Sequence, residues 1–150
     1  MNRITITSQK GGTGKTTIAL HLAAALTDEG ANVLYIDLDL MGTAATAGEI
    51  LKPKFDIIQA EPDKIPEAQE QGRDFIFYDL PRFTGPTDII YVNLLKRVNI
   101  ALVPVRPSLF DIWAGLEYMD FLKKIPVKKY ASFLNMEDRT NDAREAAEIL

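Results

Sequence analysis

Three stretches of this chain, Val33-Leu34-Tyr35-Ile36, Phe75-Ile76-Phe77-Tyr78 and Ile100-Ala101-Leu102-Val103, are apolar at nearly every position. A strand with one face in water alternates apolar and polar residues, so a strand apolar throughout is covered on both faces. A parallel sheet sandwiched between helices provides that environment within one small domain. The segments between these runs have helical periodicity, and the whole chain reads βαβα. Strands are expected over 4–7, 32–38, 75–79 and 99–105, with weaker ones over 55–59 and 130–134. Helices are expected over 15–29, 43–51, 63–71, 87–98, 111–124 and 141–150. The first helix sets Ile18, Leu22, Ala25 and Leu26 on one face and stops at Gly30, as a helix laid on a sheet should. At 150 residues and 47% hydrophobic, the chain reads as a single domain over 1–150, able to bury roughly 68–70% of its unfolded surface.

Composition removes several function classes. The absence of cysteine excludes disulfides, thiolate metal sites, Fe–S clusters and cysteine nucleophiles. The single histidine, His21, leaves a His-rich zinc site without ligands and is expected to be a packing residue of the first helix. A net charge of −4 excludes a polybasic nucleic-acid binder, so any DNA contact has to be local or assembly-dependent. Lys123, Lys124, Lys128 and Lys129 form one basic cluster, whose plain reading is a solvated helix end. The start, Met1-Asn2-Arg3-Ile4-Thr5-Ile6-Thr7, is too short and polar for a signal sequence, and no apolar run approaches the ~18 residues of a membrane span. The expectation is a soluble, cytoplasmic protein without a membrane partner.

In a doubly wound sheet, chemistry lies beyond the carboxyl ends of the strands. The first such junction is Ser8-Gln9-Lys10-Gly11-Gly12-Thr13-Gly14-Lys15-Thr16-Thr17, between the first strand and the first helix. Glycines let backbone N–H groups of Gly11, Gly12, Thr13 and Gly14 curl around phosphate oxygens. Lys15 brings positive charge to the β- and γ-phosphates, and the Thr16 hydroxyl can ligate Mg²⁺. The rival dinucleotide pattern G-x-G-x-x-G begins at Gly12 and Gly14 but meets Thr17 where its third glycine belongs, which disfavours a nicotinamide enzyme. The loop also departs from the ordinary P-loop expression, because Gln9 stands where its first glycine should be.

Lys10-Gly11-Gly12-Thr13-Gly14-Lys15-Thr16 matches the deviant Walker A motif, and here the chain resembles the ParA/MinD family of P-loop ATPases. The resemblance implies a P-loop NTPase three-layer sandwich that binds ATP or ADP with Mg²⁺. It also implies that the additional lysine, Lys10, reaches across a nucleotide-sandwich homodimer to the partner's phosphates, a role like that of an arginine finger.

Three further junctions extend the reading. In Asp37-Leu38-Asp39-Leu40-Met41-Gly42, two carboxylates two residues apart on an extended segment point the same way. The resemblance assigns Asp37 to the Mg²⁺ shell and Asp39 to orienting the attacking water; the alternative is that Asp37 caps a turn and Asp39 the following helix. Relatives usually carry Pro-Gln where this chain has Leu40-Met41. Asp79, ending the apolar strand 75–79, matches a Walker B acid that holds Mg²⁺, with 81–85 as a switch that senses the γ-phosphate. Arg82 stands where relatives often have a small residue or proline. The stretch Pro104-Val105-Arg106-Pro107-Ser108-Leu109-Phe110-Asp111 is similar to the Pro-x-x-Pro-Ser-x-x-Asp segment of plasmid-type ParA proteins, with Ser108 or Asp111 able to cap the next helix. Asn135 matches the position from which the family reads the adenine edge, and a turn-forming asparagine is the alternative.

The resemblance runs over 3–148, and relatives usually continue for at least one more strand and helix, so the last elements of the family are expected to be absent. Three functions compete. The first is a ParA-type ATPase of plasmid or chromosome partition, stimulated by a ParB-like centromere-binding partner and able to hold DNA nonspecifically. The second is a P-loop kinase or ligase of a small metabolite. The third is a nonhydrolysing nucleotide-dependent interaction module. Lys10 favours the first over the second, since a trans lysine has no task in a monomeric kinase, and Asp39 favours it over the third.

Overall fold

The computed structural model describes residues 1–135 apart from Leu40 and Gly42. The elements in chain order are β1 Asn2–Ile6, α1 Lys15–Asp28, β2 Val33–Asp37, α2 Thr43–Leu51, β3 Asp56–Gln59, α3 Glu67–Glu70, β4 Phe75–Asp79, α4 Ile89–Arg97, β5 Ile100–Val105, α5 Leu109–Leu122 and β6 Lys129–Leu134. The six strands form one sheet in the order β3-β2-β4-β1-β5-β6, and every pairing is parallel. The helix expected over 141–150 lies outside the described residues.

Strand periodicity divides the core into two layers, one on each face of the sheet. Ile4, Ile6, Val33, Tyr35 and Phe77 face Ala19 and Ala23 of α1 and Ala44 of α2. Leu34, Ile36, Ile76 and Tyr78 face Tyr91, Leu94 and Leu95 of α4 and Ile112, Tyr118 and Leu122 of α5. The three-layer sandwich follows directly: β2 and β4 alternate between two apolar environments, which is why their sequences are apolar without a break.

Several boundaries differ from the sequence expectation. The helix over 63–71 shrinks to the single turn of α3, because Pro66 cannot supply an N–H inside a helix and sits at its start. α4 and α5 begin where side chains cap them: Asp88 accepts from the Tyr91 N–H and Ser108 from the Asp111 N–H. The buried face of α1 is Ala19 and Ala23 flanked by Ile18 and Leu26, whereas Leu22 and Ala25 turn outward. Small residues win the seam because α1 lies close over the strands. His21 is also exposed, on the mouth of an apolar cleft with Leu20, Leu51 and Phe55, rather than packed in the core.

β1 and β5 are neighbours in the sheet, and the connection from β1 runs to β2 on one side while that from β5 runs to β6 on the other. This is the topological switch point, where a doubly wound sheet opens a crevice for a ligand. The basic cluster is at the other end of the sheet, after α5 and at the start of β6, with all four lysines exposed and Lys123 paired to Asp120 at 2.7 Å.

Candidate functional site

The loop after β1 is held by its own polar side chains. Ser8 Oγ donates to the Lys10 carbonyl at 2.9 Å and bonds Thr13 Oγ1 at 2.9 Å. From the far side of β5, Asn135 Nδ2 donates to the Thr13 carbonyl at 2.8 Å. Gly12 and Gly14 adopt left-handed backbone angles, φ 71° and 84°, that disfavour any other residue. At the root of the loop the hydroxyls of Thr7, Tyr91 and Tyr118 bond one another, the two tyrosines at 2.8 Å, tying β1 to α4 and α5.

This loop borders a cavity of about 300 Å³, lined by Gly11 to Thr17 and by Asp39, Asp79, Leu80 and Arg82. α1 starts at Lys15 with no side-chain cap and no acid in its first turn, so its leading N–H groups are left for an anion. Burial holds the Lys15 ammonium below its ordinary pKa, with Arg82 adding like charge while Asp79 and Asp39 oppose the shift. Lys15 Nζ donates to the Lys10 carbonyl at 3.2 Å.

Asp79 sits across the cavity at the end of β4, 4% exposed. Its carboxylate accepts from Tyr35 Oη at 2.9 Å. Burial raises its pKa, and hydrogen bonding to Thr16 and Tyr35 works against that rise. Thr16, Asp79 and Asp39 therefore place hydroxyl and carboxylate oxygens, the donor set of a hard divalent cation, beside cationic and amide groups suited to phosphate. The residues fit a magnesium nucleotide.

Asp37 departs from its expected place. It has no exposed surface, and its oxygens accept from the backbone N–H groups of Asp39 at 3.1 Å, Ala44 at 2.9 Å and Ala45 at 3.1 Å. It is not among the residues that line the cavity with Asp39, although it lies beside its register partner Asp79, whose pKa its charge helps to raise; its bonds to Ala44 and Ala45 are those of the capping reading. β2 ends at Asp37, so the period-two rule that would set the two carboxylates on one side no longer applies at Asp39. Asp39 in turn accepts from the Met41 N–H at 3.0 Å.

Lys10 also leaves the cavity. Its Nζ lies 3.6 Å from Asp111 Oδ1, on the outer side of the loop, and its side chain is 45% exposed. Asp111 is buried at the first turn of α5, where Ser108 Oγ donates to it at 2.6 Å and Arg106 pairs with it at 3.2 Å. Sequence reasoning gave Asp111 a capping role alone. It missed Tyr35 and the Thr7–Tyr91–Tyr118 cluster, because each depends on strand register and helix docking that no local pattern signals.

A glycine-bent loop feeding an uncapped helix, with its lysine in the cavity and an acid at the end of the neighbouring strand, is the geometry of a P-loop nucleotide-binding domain. The family model for the CobQ/CobB/MinD/ParA nucleotide binding domain matches residues 4–147, and the chain belongs to that family. The chromosome-partitioning ATPase Soj of Thermus thermophilus is 29% identical over 146 residues, covering 75% of this chain and 57% of that protein. The sporulation initiation inhibitor protein Soj of Bacillus subtilis is 40% identical over 149 residues, covering 69% of this chain and 57% of its own length. The chain thus spans less than two thirds of these relatives. In fold it is similar to cobyrinic acid a,c-diamide synthase of Mycobacterium smegmatis, solved with an ATP analogue and magnesium, at TM-score 0.78 and 18% identity over 99% of this chain and 80% of that one. A plasmid partition protein from Borrelia burgdorferi is equally similar, at TM-score 0.78 and 19% identity over 99% and 84%.

Proposed function

We propose that this chain is the ATPase domain of a ParA-type partition protein. It binds Mg-ATP, hydrolyses it to ADP and phosphate, and works as a nucleotide-sandwich homodimer that a ParB-like partner stimulates and that holds DNA nonspecifically in the cytoplasm. The observation that carries the reading is the divergence of two lysines in one loop. Lys15 enters the cavity, and Lys10 points out of it to Asp111. A lysine outside its own phosphate site gains a task when a second subunit faces it. The relatedness to two Soj proteins, one named as a partitioning ATPase, supports the same reading.

Each residue then has a role set by its place. The loop amides and Lys15 receive the β- and γ-phosphates. Thr16 and Asp79 hold the cation, which when bound would neutralise charge on the phosphate oxygens. Asp39 orients the attacking water. Asp37 acts one step back, fixing the Asp39 backbone and the start of α2. Asn135 spends its amide N–H on the loop, and its Oδ1, without a donor among the described residues, is an acceptor for the adenine amine.

The test is mass by light scattering together with melting temperature. Wild-type protein should gain ~2.7 kcal/mol of stability with nucleotide at one hundred times Kd. It should double its mass with ATPγS and not with ADP. Lys15→Ala should lose both responses, and Lys10→Gln should lose the mass change alone. A wild-type protein with no thermal response to millimolar ATP or ADP refutes the nucleotide site; one that binds but stays monomeric refutes the sandwich.

A further inference from the structure

α5 is apolar on both its inner and its outer side. Ile112, Gly115, Tyr118 and Leu122 are buried against the sheet, which leaves Leu109, Phe110, Trp113 and Leu116 exposed. Phe110 is 80% and Trp113 73% exposed. Apolar residues all round a helix belong to one that is covered all round, so two aromatic rings projecting from the outer side mark a contact surface. A matching surface lies on the other face of the sheet. Where α1 and α2 meet over β3, the small residues Ala24, Ala47 and Gly48 leave a hollow of about 410 Å³, bounded by Phe55, Leu20 and Leu51. That is within the roughly 300–1,000 Å³ of cavities that accept a ring system. Charge is complementary as well. Glu117 lies beside Trp113, and Lys52 beside Phe55, and neither has an ionic partner among the described residues. α5 packs with α4 on one face, whereas the hollow belongs to α1 and α2 on the other. Trp113 therefore cannot reach the hollow of its own chain, and a second copy can bring the two together.

We propose that the ridge formed by Phe110 and Trp113 of one copy seats in the hollow between Leu51 and Phe55 of a second copy, with Glu117 facing Lys52 across the contact. Ridge and hollow are different surfaces, so the contact is heterologous. Each copy added leaves one ridge and one hollow free, and assembly continues to a ring where the rotation closes and to a filament where it does not. The contact involves no nucleotide and does not rest on the sandwich of the preceding subsection. Two rings and a few aliphatic neighbours make an interface of the small, transient class. It forms as concentration rises and dissolves at the dilution where the sandwich is assayed.

The experiment is sedimentation equilibrium over a range of protein concentrations without nucleotide. Wild type and Lys15→Ala should both gain mass beyond the dimer as concentration rises. Trp113→Glu and Leu51→Glu change exposed positions, so each should melt with wild type. Each should associate about thirtyfold more weakly or worse, the effect of losing a hot-spot residue, and stay monomeric where wild type does not. Phe110→Glu gives the same test if Trp113→Glu melts lower. In an equal mixture, Trp113→Glu supplies a hollow and Leu51→Glu a ridge, so pairs form and growth stops at two copies. A wild type that is monomeric at its highest soluble concentration overturns the proposal and leaves the ridge to a different protein. Self-association of Leu51→Glu would place ridge against ridge and overturns it, as does a mixture that stays monomeric. Mass gain that requires ATPγS and disappears in Lys15→Ala belongs to the sandwich and also overturns it. If wild type shows no response to nucleotide yet associates as described, the nucleotide site fails and this contact stands.

Discussion

Tyr35→Phe measures how firmly the acid of the site is held. Tyr35 has no exposed surface, and its ring lies 6.2 Å from Phe77, nearly parallel at 12°, and 6.4 Å from Phe55. Phenylalanine keeps that packing and deletes one hydroxyl, the donor to Asp79 Oδ2 at 2.9 Å. A hydrogen bond to a charged group contributes about 1.5–3 kcal/mol, and at 4% exposure Asp79 has little water to replace it. A loss of about 2 kcal/mol is expected, which for a domain of this size lowers Tm by about 4–8 °C. Without the hydroxyl the Asp79 pKa moves further up, since burial then meets less opposition. Stabilisation by Mg-ADP should shrink as well. The assay is urea denaturation of Tyr35→Phe in wild-type and Asp79→Asn backgrounds. With a neutral amide as acceptor the hydroxyl should contribute only about 1 kcal/mol, leaving a coupling of about 1 kcal/mol between the two sites. The same cost in both backgrounds, or a cost under about 0.5 kcal/mol in wild type, would show that Asp79 does not depend on Tyr35.

Three other perturbations follow from the same geometry. Asp39→Ala should leave the nucleotide-induced melting shift within about 1 °C of wild type while ending ATP turnover, read by phosphate release, because its place is at the water rather than at the phosphates. Gly115→Ala should destabilise by about 1–3 kcal/mol in urea titration, since an added Cβ would sit 2.7 Å from Val105 Cγ2 where α5 rests on β5. Asp88→Ala should cost about 1 kcal/mol by removing the cap of α4. The Asp88 carboxyl is held below its ordinary value by the Tyr91 N–H and the Thr84 hydroxyl. Its contribution is therefore complete above about pH 4, the unfolded value, and lost as pH falls through the lower folded value, so the difference between wild type and Asp88→Ala should vanish in strong acid.

The sheet and the phosphate loop are legible in local sequence. Apolar runs such as Phe75 to Tyr78 read as doubly covered strands because β4 alternates between two helical layers, a condition every residue of the run records locally. The order strand, glycine loop, Gly14-Lys15-Thr16 and helix was legible for the same reason: phosphate binding by a loop is carried within ten consecutive residues, Ser8 to Thr17. Tertiary structure decided what depends on how chain segments distant in sequence meet. Asp37 and Asp39 look equivalent in a strand pattern, yet the end of β2 turns one to cap α2 and the other to the cavity. Lys10 and Asp111 are 101 residues apart and come within 3.6 Å because α5 docks beside the loop. Tyr35 reaches Asp79 through the parallel register of β2 and β4, and Arg82 enters the site through the direction Pro81 imposes past the sheet edge. Periodicity reports which environment a residue prefers, whereas side-chain partners are set by register and docking, and these depend on the packing of the whole sheet.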